Sequence, residues 1–168
     1  MRMNQRMREL GDRENIPQAA FPIELRDLLD EGWRNGPARS LLLKGLYGKG
    51  WRTDWEYDHV GAREYEVNDV WVPSAGLSKN RADFLSGMTA RAFSFAFTAL
   101  RLAQGLDGGD TLVAVISMSV DSDYLSSGTT IKFFTRRGTY PDYFEDLERF
   151  ELDAVAVIEP TDLDKLAQ

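Results

Sequence analysis

Apolar residues recur at helical spacing in two parts of the chain. Pro22 precedes a short apolar stripe over 23–31 and Gly32 follows it, which predicts a short helix. The longest helix is predicted over 81–104, with Ser78 as its N-cap, because apolar residues there step by three or four. Its apolar band is wider than one face. We therefore expect this helix to be buried on more than one side and to form the centre of the core.

Strands are predicted where apolar residues recur at every second position or where several β-branched apolar residues are consecutive. Aromatic and charged residues alternate over 51–58, and a return strand is expected over 64–72 after a turn at 59–62. The register of the return strand shifts near 68–69, which a β-bulge would absorb. Further strands are predicted over 40–43, 111–120, 129–137 and 154–158, and short helices over 142–150 and 161–166.

Strands that cluster before and after one long helix predict an α+β fold. A largely antiparallel sheet would pack against the central helix and several short helices. The 168 residues are enough for one domain of ordinary size. We expect that domain to span residues 21–168. Residues 1–20 are polar and include Gly11 and Pro17, so they are predicted to form a loose or locally helical arm.

Composition removes several classes of chemistry. The chain has no cysteine and one histidine, His59, which excludes disulfides, thiolate ligands, a cysteine nucleophile and an all-histidine zinc site. The positively charged N-terminal residues are not followed by the apolar run of a signal peptide. No stretch approaches the ~20 apolar residues of a membrane span. We therefore expect a cytoplasmic protein that does not bind membranes.

The charge is unevenly distributed. Residues 1–52 carry 10 basic and 7 acidic side chains, a net of +3, and residues 53–168 carry 10 basic and 20 acidic ones, a net of −10; together they give −7. An acidic surface repels phosphate backbones, which argues against direct nucleic-acid binding by the second segment. The acidic surface of residues 53–168 is better suited to binding a cationic protein. The same negative charge also favours solubility.

Three motifs invite a catalytic or ligand-binding interpretation and fail in detail. The segment 45–50 is rich in glycine but has Leu43 and Gly50 where a phosphate-binding loop needs glycine and Ser or Thr. Asp54, Glu56 and Asp58 resemble the start of a calcium loop, but glycine and glutamate are missing at its sixth and twelfth positions. His59 is expected in a solvated turn. We thus predict no catalytic residue, no metal ligand and no cofactor.

Acidic surfaces are the remaining candidates for function. Besides the strand at 54–58, carboxylates cluster around Asp121–Tyr124 and over residues 142–153. A tyrosine among carboxylates combines a rigid contact surface with charge. Tyrosine is also enriched among the residues that dominate binding energy at interfaces. We expect these two segments to share one edge of the fold. The predicted partner-binding residues are Asp121, Asp123, Tyr124, Asp142, Tyr143, Glu145, Asp146 and Glu148.

The segment Val120–Gly138, after a Phe-rich helix and a buried strand, resembles bacterial immunity proteins of polymorphic-toxin and contact-dependent growth inhibition systems. The resemblance covers about the last ninety residues and carries no individual residue role with it. It implies a small, acidic, cytoplasmic, non-enzymatic protein that blocks the active site of a cognate toxin domain, often a basic nuclease. The alternatives are a small carboxylate- or metal-dependent enzyme and a structural subunit that self-associates through an apolar patch.

Overall fold

The computed structural model describes residues 1–11, 21–49, 59–137 and 144–163. Within them the chain forms five α-helices and seven β-strands. In chain order these are β1 (Arg2–Met3), α1 (Gln5–Leu10), α2 (Ile23–Glu31), β2 (Trp33–Asn35), β3 (Leu41–Leu43), α3 (Val60–Val67), β4 (Asp69–Trp71), α4 (Arg81–Ala103), β5 (Leu112–Ser119), α5 (Tyr124–Ser127), β6 (Thr129–Thr135) and β7 (Asp153–Ile158).

A five-stranded antiparallel sheet lies at the centre, in the spatial order β1–β7–β5–β6–β4. The middle strand β5 pairs with β6 on one side and with β7 on the other. A separate two-stranded sheet joins β2 and β3. The predicted α+β fold with a largely antiparallel sheet is therefore confirmed, and the predicted strands at 40–43, 111–120, 129–137 and 154–158 correspond to β3, β5, β6 and β7.

The long helix α4 covers one face of the sheet. Alternate residues of β5 (Leu112, Ala114, Ile116, Met118) pack with it in the main core. On its other side α4 contacts α1 and α2, and the indole nitrogen of Trp33 donates to the carbonyl of Ala99 at 2.7 Å. Burial on more than one side is thus confirmed. The predicted N-cap was wrong: the side chain of Asn80, rather than that of Ser78, accepts the N–H groups of Ala82 and Asp83.

The second face of the sheet has its own smaller core. It consists of Val113, Val115, Phe134, Val155 and Val157 on the strands, covered by Phe144 and Leu147 and flanked by Tyr65 and Phe150. The segment 144–150 therefore lies across the sheet. We refer to residues 144–152 as the strap. The acidic helix predicted over 142–150 is not an α-helix in the described residues, where Phe144 and Leu147–Arg149 are in 3₁₀ conformation.

The predicted return strand over 64–72 was wrong for most of its length, because residues 60–67 form α3. The inner face of this helix carries a glutamate, Glu64, which is fully buried. Its carboxylate accepts the backbone N–H groups of Leu41 at 2.7 Å and Thr135 at 2.5 Å. A polar residue at the most buried helical position hides the helical period. The partner strand predicted over 51–58 lies outside the described residues.

The first eleven residues, which are the part of the predicted loose or locally helical arm that the structure describes, contain a short strand and a short helix. Strand β1 pairs with β7 at one edge of the sheet, and α1 packs beside it. Asn4 is the N-cap of α1 and is buried, so this junction belongs to the core region. Residues 12–20 lie outside the described residues. Among the residues that are described, no helix combines the length and apolar character needed to cross a membrane.

Candidate protein-interaction surface

The register of the sheet brings the loop after β5 and the last residues of the second predicted acidic segment to the same end of the sheet. Ser119, the last residue of β5, pairs with Asp153, the first residue of β7. Met118 pairs with Thr129 at the start of β6. The loop 120–128 and the strap are therefore attached to neighbouring strand ends. We call this end of the sheet, with the loop and the strap, the acidic end.

The loop presents two aspartates and anchors its tyrosine inside. Asp121 and Asp123 are exposed, and the carboxylate of Asp121 accepts the N–H of Asp123 at 2.9 Å. The hydroxyl of Tyr124 donates to the carbonyl of Lys79 at 2.9 Å, and its ring lies 5.3 Å from that of Phe84. Tyr124 therefore fixes the loop against α4, and the charged side chains that the loop offers to a partner are the aspartates.

The strap alternates between inward apolar and outward acidic side chains. Phe144 and Leu147 are buried on the second face of the sheet, whereas Glu145, Asp146 and Glu148 are exposed. The ring of Phe144 stacks on that of Phe134 at 6.1 Å, so the outward carboxylates stand on a packed base. Two further predicted partner-binding residues, Asp142 and Tyr143, lie outside the described residues.

Glu148 is already engaged within the molecule. Its carboxylate accepts the backbone N–H of Gln5 at 2.9 Å and a guanidinium N–H of Arg8 at 2.6 Å. These bonds hold the pKa of Glu148 below its ordinary value, the bond from Gln5 most of all. Glu148 thus ties the first turn of α1 to the strap. Beside it opens a surface cleft of about 490 Å³, also lined by Arg6, Glu9, Phe150 and Glu151.

An exposed tryptophan lies on the second face at the acidic end. Val70 and Val72 are buried, so Trp71 between them points to the opposite face, where 57% of it is exposed. Register places Trp71 in one row with Thr130 and Ser117, which are half-buried. Two more exposed apolar side chains, Leu125 in the loop and Leu152 in the strap, belong to the same end.

The other candidate motifs are placed as follows. Asp54, Glu56 and Asp58 lie outside the described residues. His59 is exposed and precedes the first turn of α3. Gly45 lies in a 3₁₀ helix, Lys44–Lys49, where a β-carbon would come within 2.6 Å of Leu28, so it permits close packing against α2. In the described part of the chain, no three His, Cys, Asp or Glu side chains are arranged to hold a metal ion.

Sequence reasoning overlooked Trp71 and the buried polar residues Asn4, Glu64 and Asn68. A signal for Trp71 was available, because a tryptophan that alternates with two buried valines must face the other way. Nothing in the sequence distinguishes Glu64 or Asn68 from surface residues, since their partners are backbone groups of distant strands.

Comparisons with protein-family models, with curated proteins and with solved structures found no match.

Proposed function

We propose that this chain is a cytoplasmic immunity protein that binds a cognate cationic toxin domain and covers its active site. The observation that carries the proposal is that two exposed acidic segments, the loop and the strap, are attached to neighbouring strand ends of one sheet. Asp121 in the loop and Glu151 in the strap are exposed near those strand ends, as are the apolar side chains of Leu125, Leu152 and Trp71. Charge next to apolar contact area is the composition of a specific interface.

The mechanism is occlusion. A domain that acts on nucleic acid holds phosphates with Lys and Arg, and carboxylates of an inhibitor occupy the same cations. Fixed carboxylates suit this role because less side-chain entropy is lost on binding. The aspartates at 121 and 123 lie in a loop anchored by Tyr124, and Glu145 and Asp146 lie on a strap anchored by Phe144 and Leu147. No covalent bond forms or breaks in this mechanism.

Charge reversal at the acidic end tests the proposal. We expect a cognate toxin domain to be encoded beside this gene. A catalytically inactive form of that domain is the probe, and the measurement is the dissociation constant. We expect Asp121→Lys combined with Asp146→Lys to raise the dissociation constant by about 100-fold, because like charges that face each other across an interface cost several kcal/mol. The matched control is Asp27→Lys with Asp30→Lys, two exposed carboxylates on α2, away from the acidic end. Glu148 is left intact because its loss would also release α1.

Three results would contradict the proposal. The first is an unchanged dissociation constant for the double reversal at the acidic end. The second is specific binding of Mg²⁺, Mn²⁺ or Ca²⁺ in calorimetry, which would favour a carboxylate-dependent enzyme. The third is stable self-association in light scattering without toxin binding, which would favour a structural subunit.

A further inference from the structure

Trp71 is the largest side chain that the described part of the acidic end exposes. Its exposed fraction is 57%, although β4 is paired to β6 and the neighbours Val70 and Val72 are 1% exposed. Tryptophan is highly buried on average and enriched among residues that dominate binding energy. An exposed indole on a paired strand is therefore a candidate docking position.

The indole is held in place before any partner arrives. It lies on Gly128, where a β-carbon would come within 1.8 Å of Cη2 of the ring, and Gly128 has φ +74°, a conformation that favours glycine. The backbone on both sides of Trp71 is bonded to β6: the N–H of Val72 donates to Thr129 at 2.9 Å, and Asn68 accepts from Phe133 at 3.2 Å. A side chain fixed in this way loses little entropy on binding.

The surface around Trp71 is flat, hydroxyl-rich and acidic at its far side. Thr130 and Ser117 continue its row, and the adjacent row runs from Gly128 through Ser119 to Asp153. Adjacent strands are about 4.8 Å apart, so this surface extends roughly 14 Å from β4 to β7. Asp153 lies at the β7 side of this surface. Asp121 follows shortly after the end of β5.

We propose that Trp71 is the apolar anchor of the toxin-binding surface. The toxin domain would carry an apolar pocket for the indole, rimmed by Lys or Arg side chains that reach Asp121 and Asp153. Charge complementarity selects this occupant: the protein has a net charge of −7, and Asp153 and Asp121 lie on the far side of the patch, whereas Lys132 on the near side is paired with Asp69. The inference rests on the proposed function and adds to it the face that binds and the kind of pocket that receives it.

A variant series tests the anchor with the full chain and the inactive toxin domain as probe. We expect Trp71→Ala to raise the dissociation constant at least 30-fold, chiefly through faster dissociation, and Trp71→Phe to have an intermediate effect. The matched control is Ile23→Ala on α2, which removes a similarly exposed side chain, 58% against 57%. Thermal unfolding and gel filtration of each variant verify that it is folded.

Oxidative labelling of the wild-type protein gives a second readout that needs no variant. We expect Trp71 to be oxidised in the free protein and protected in the complex. Trp33, which is 6% exposed, serves as the unreactive reference. If wild-type protein binds the toxin but Trp71→Ala binds within threefold of it, or Trp71 stays reactive in the complex, the inference falls and the proposed function stands. If no toxin binds, both fall. If Trp71→Ala instead dissociates a dimer, the occupant is a second copy and the inference is wrong.

Discussion

Three buried polar side chains act as cross-links between segments that are distant in sequence. Asn4 accepts the N–H of Val155 at 3.0 Å and donates to the carbonyl of Asp153 at 2.7 Å. Asn68 donates to Leu41 at 2.8 Å, and Glu64 joins Leu41 to Thr135. A buried polar group that is fully bonded specifies one arrangement, because every alternative leaves a group unpaired.

Glu64 should make stability depend on pH. Burial raises the pKa of its carboxyl above 4.5, against the opposing effect of hydrogen bonds from Thr135 and Leu41 and of the charge of Arg137. The folded state therefore holds this proton more tightly than the unfolded state does. As pH rises from 4.5 through the raised pKa, the free energy of unfolding contributed by Glu64 falls. Urea unfolding between about pH 4 and 8 should show wild type losing stability relative to Glu64→Gln.

The control for this titration is Glu66→Gln, on the exposed side of the same helix. It removes one carboxylate and leaves the buried one in place. The difference in the free energy of unfolding between Glu66→Gln and wild type should not change with pH in the way that it does for Glu64→Gln. A difference between wild type and Glu64→Gln that stays constant across the pH range would show that burial does not shift this group.

Two glycines with positive φ test the contact beneath Trp71. Gly128 has φ +74° and ψ 175° and lies under a ring, whereas at Gly105, with φ +84°, a β-carbon would meet no atom of the described residues within 4 Å. We expect Gly105→Ala to cost about 1 kcal/mol from backbone strain. Gly128→Ala should cost about 1–3 kcal/mol more, because its backbone conformation disfavours alanine more strongly and because the β-carbon would displace the indole. Urea unfolding measures the cost, and tryptophan fluorescence that is unchanged in Gly128→Ala would show that the indole does not rest on Gly128.

At the scale of elements, the junction of β1 and α1 holds the edge of the sheet together. Asn4 caps α1 by accepting the N–H of Met7 at 3.0 Å and bonds the strap by donating to Phe150 at 3.2 Å. Glu148 completes this arrangement from the strap side. The strap, which carries the predicted binding carboxylates, is thus positioned by the first residues of the chain.

The capping residues Asn4 and Asn80 allow this junction to be tested. Asn4→Ala removes a helix cap, worth about 1 kcal/mol, and leaves buried backbone groups unpaired at about 1–3 kcal/mol. We expect a total loss near 3 kcal/mol in urea unfolding. Asn80→Ala removes only an exposed cap of α4 and should cost about 1 kcal/mol. Similar losses for both would mean that the buried bonds of Asn4 add nothing.

The sequence predicted correctly those elements whose buried positions are apolar residues at helical or strand spacing. Helix α2 was predicted with its exact bounds, because Pro22 and Gly32 mark its ends and Leu25 and Leu29 its buried side. Helix α4 was predicted from its wide apolar band. Helix α3 was missed because one of its two buried residues, Glu64, is polar and is held by hydrogen bonds, so that Val60 alone does not give a helical period. Pairing of β1 with β7 joins residues about 155 apart, and no local pattern encodes that.

The sequence predicted which segments of the candidate site are acidic, but it did not predict how their side chains are arranged in space. The acidic segments at 121–124 and 142–153 are evident in the sequence, and strand register then attaches the loop and the strap to neighbouring strand ends. Which carboxylates are outward depends on tertiary contacts. Glu148 is bonded to α1 and Tyr124 to Lys79 just before α4, whereas Asp146 and Glu145 have no such bond to another helix among the described residues. Such a division requires the coordinates of distant residues.

For the molecule as a whole, charge and shape have separate consequences for binding. The net charge of −7 acts at long range on the encounter with a cationic domain. The indole of Trp71 acts at contact, after water has been displaced. Long-range attraction changes the association rate, and short-range packing changes the dissociation rate.

Kinetics at different salt concentrations should separate these contributions. Raising NaCl from about 0.05 to 0.5 M should lower the association rate constant with the inactive toxin domain about tenfold, because the screening length falls severalfold. The dissociation rate constant should change much less. Asp121→Asn with Glu151→Gln should reduce both the association rate and its salt dependence, since both side chains are exposed at the acidic end. Surface plasmon resonance gives both rate constants.

Asp27→Asn with Asp30→Asn provides the comparison, because it removes the same charge from α2. If net charge alone guided the encounter, the two pairs would lower the association rate equally. A larger effect at the acidic end means that this end faces the partner during the approach, since Coulomb energy falls with distance and is screened within about 10 Å. Equal effects would place the contact surface elsewhere on the molecule and leave the charge with the general role of attraction.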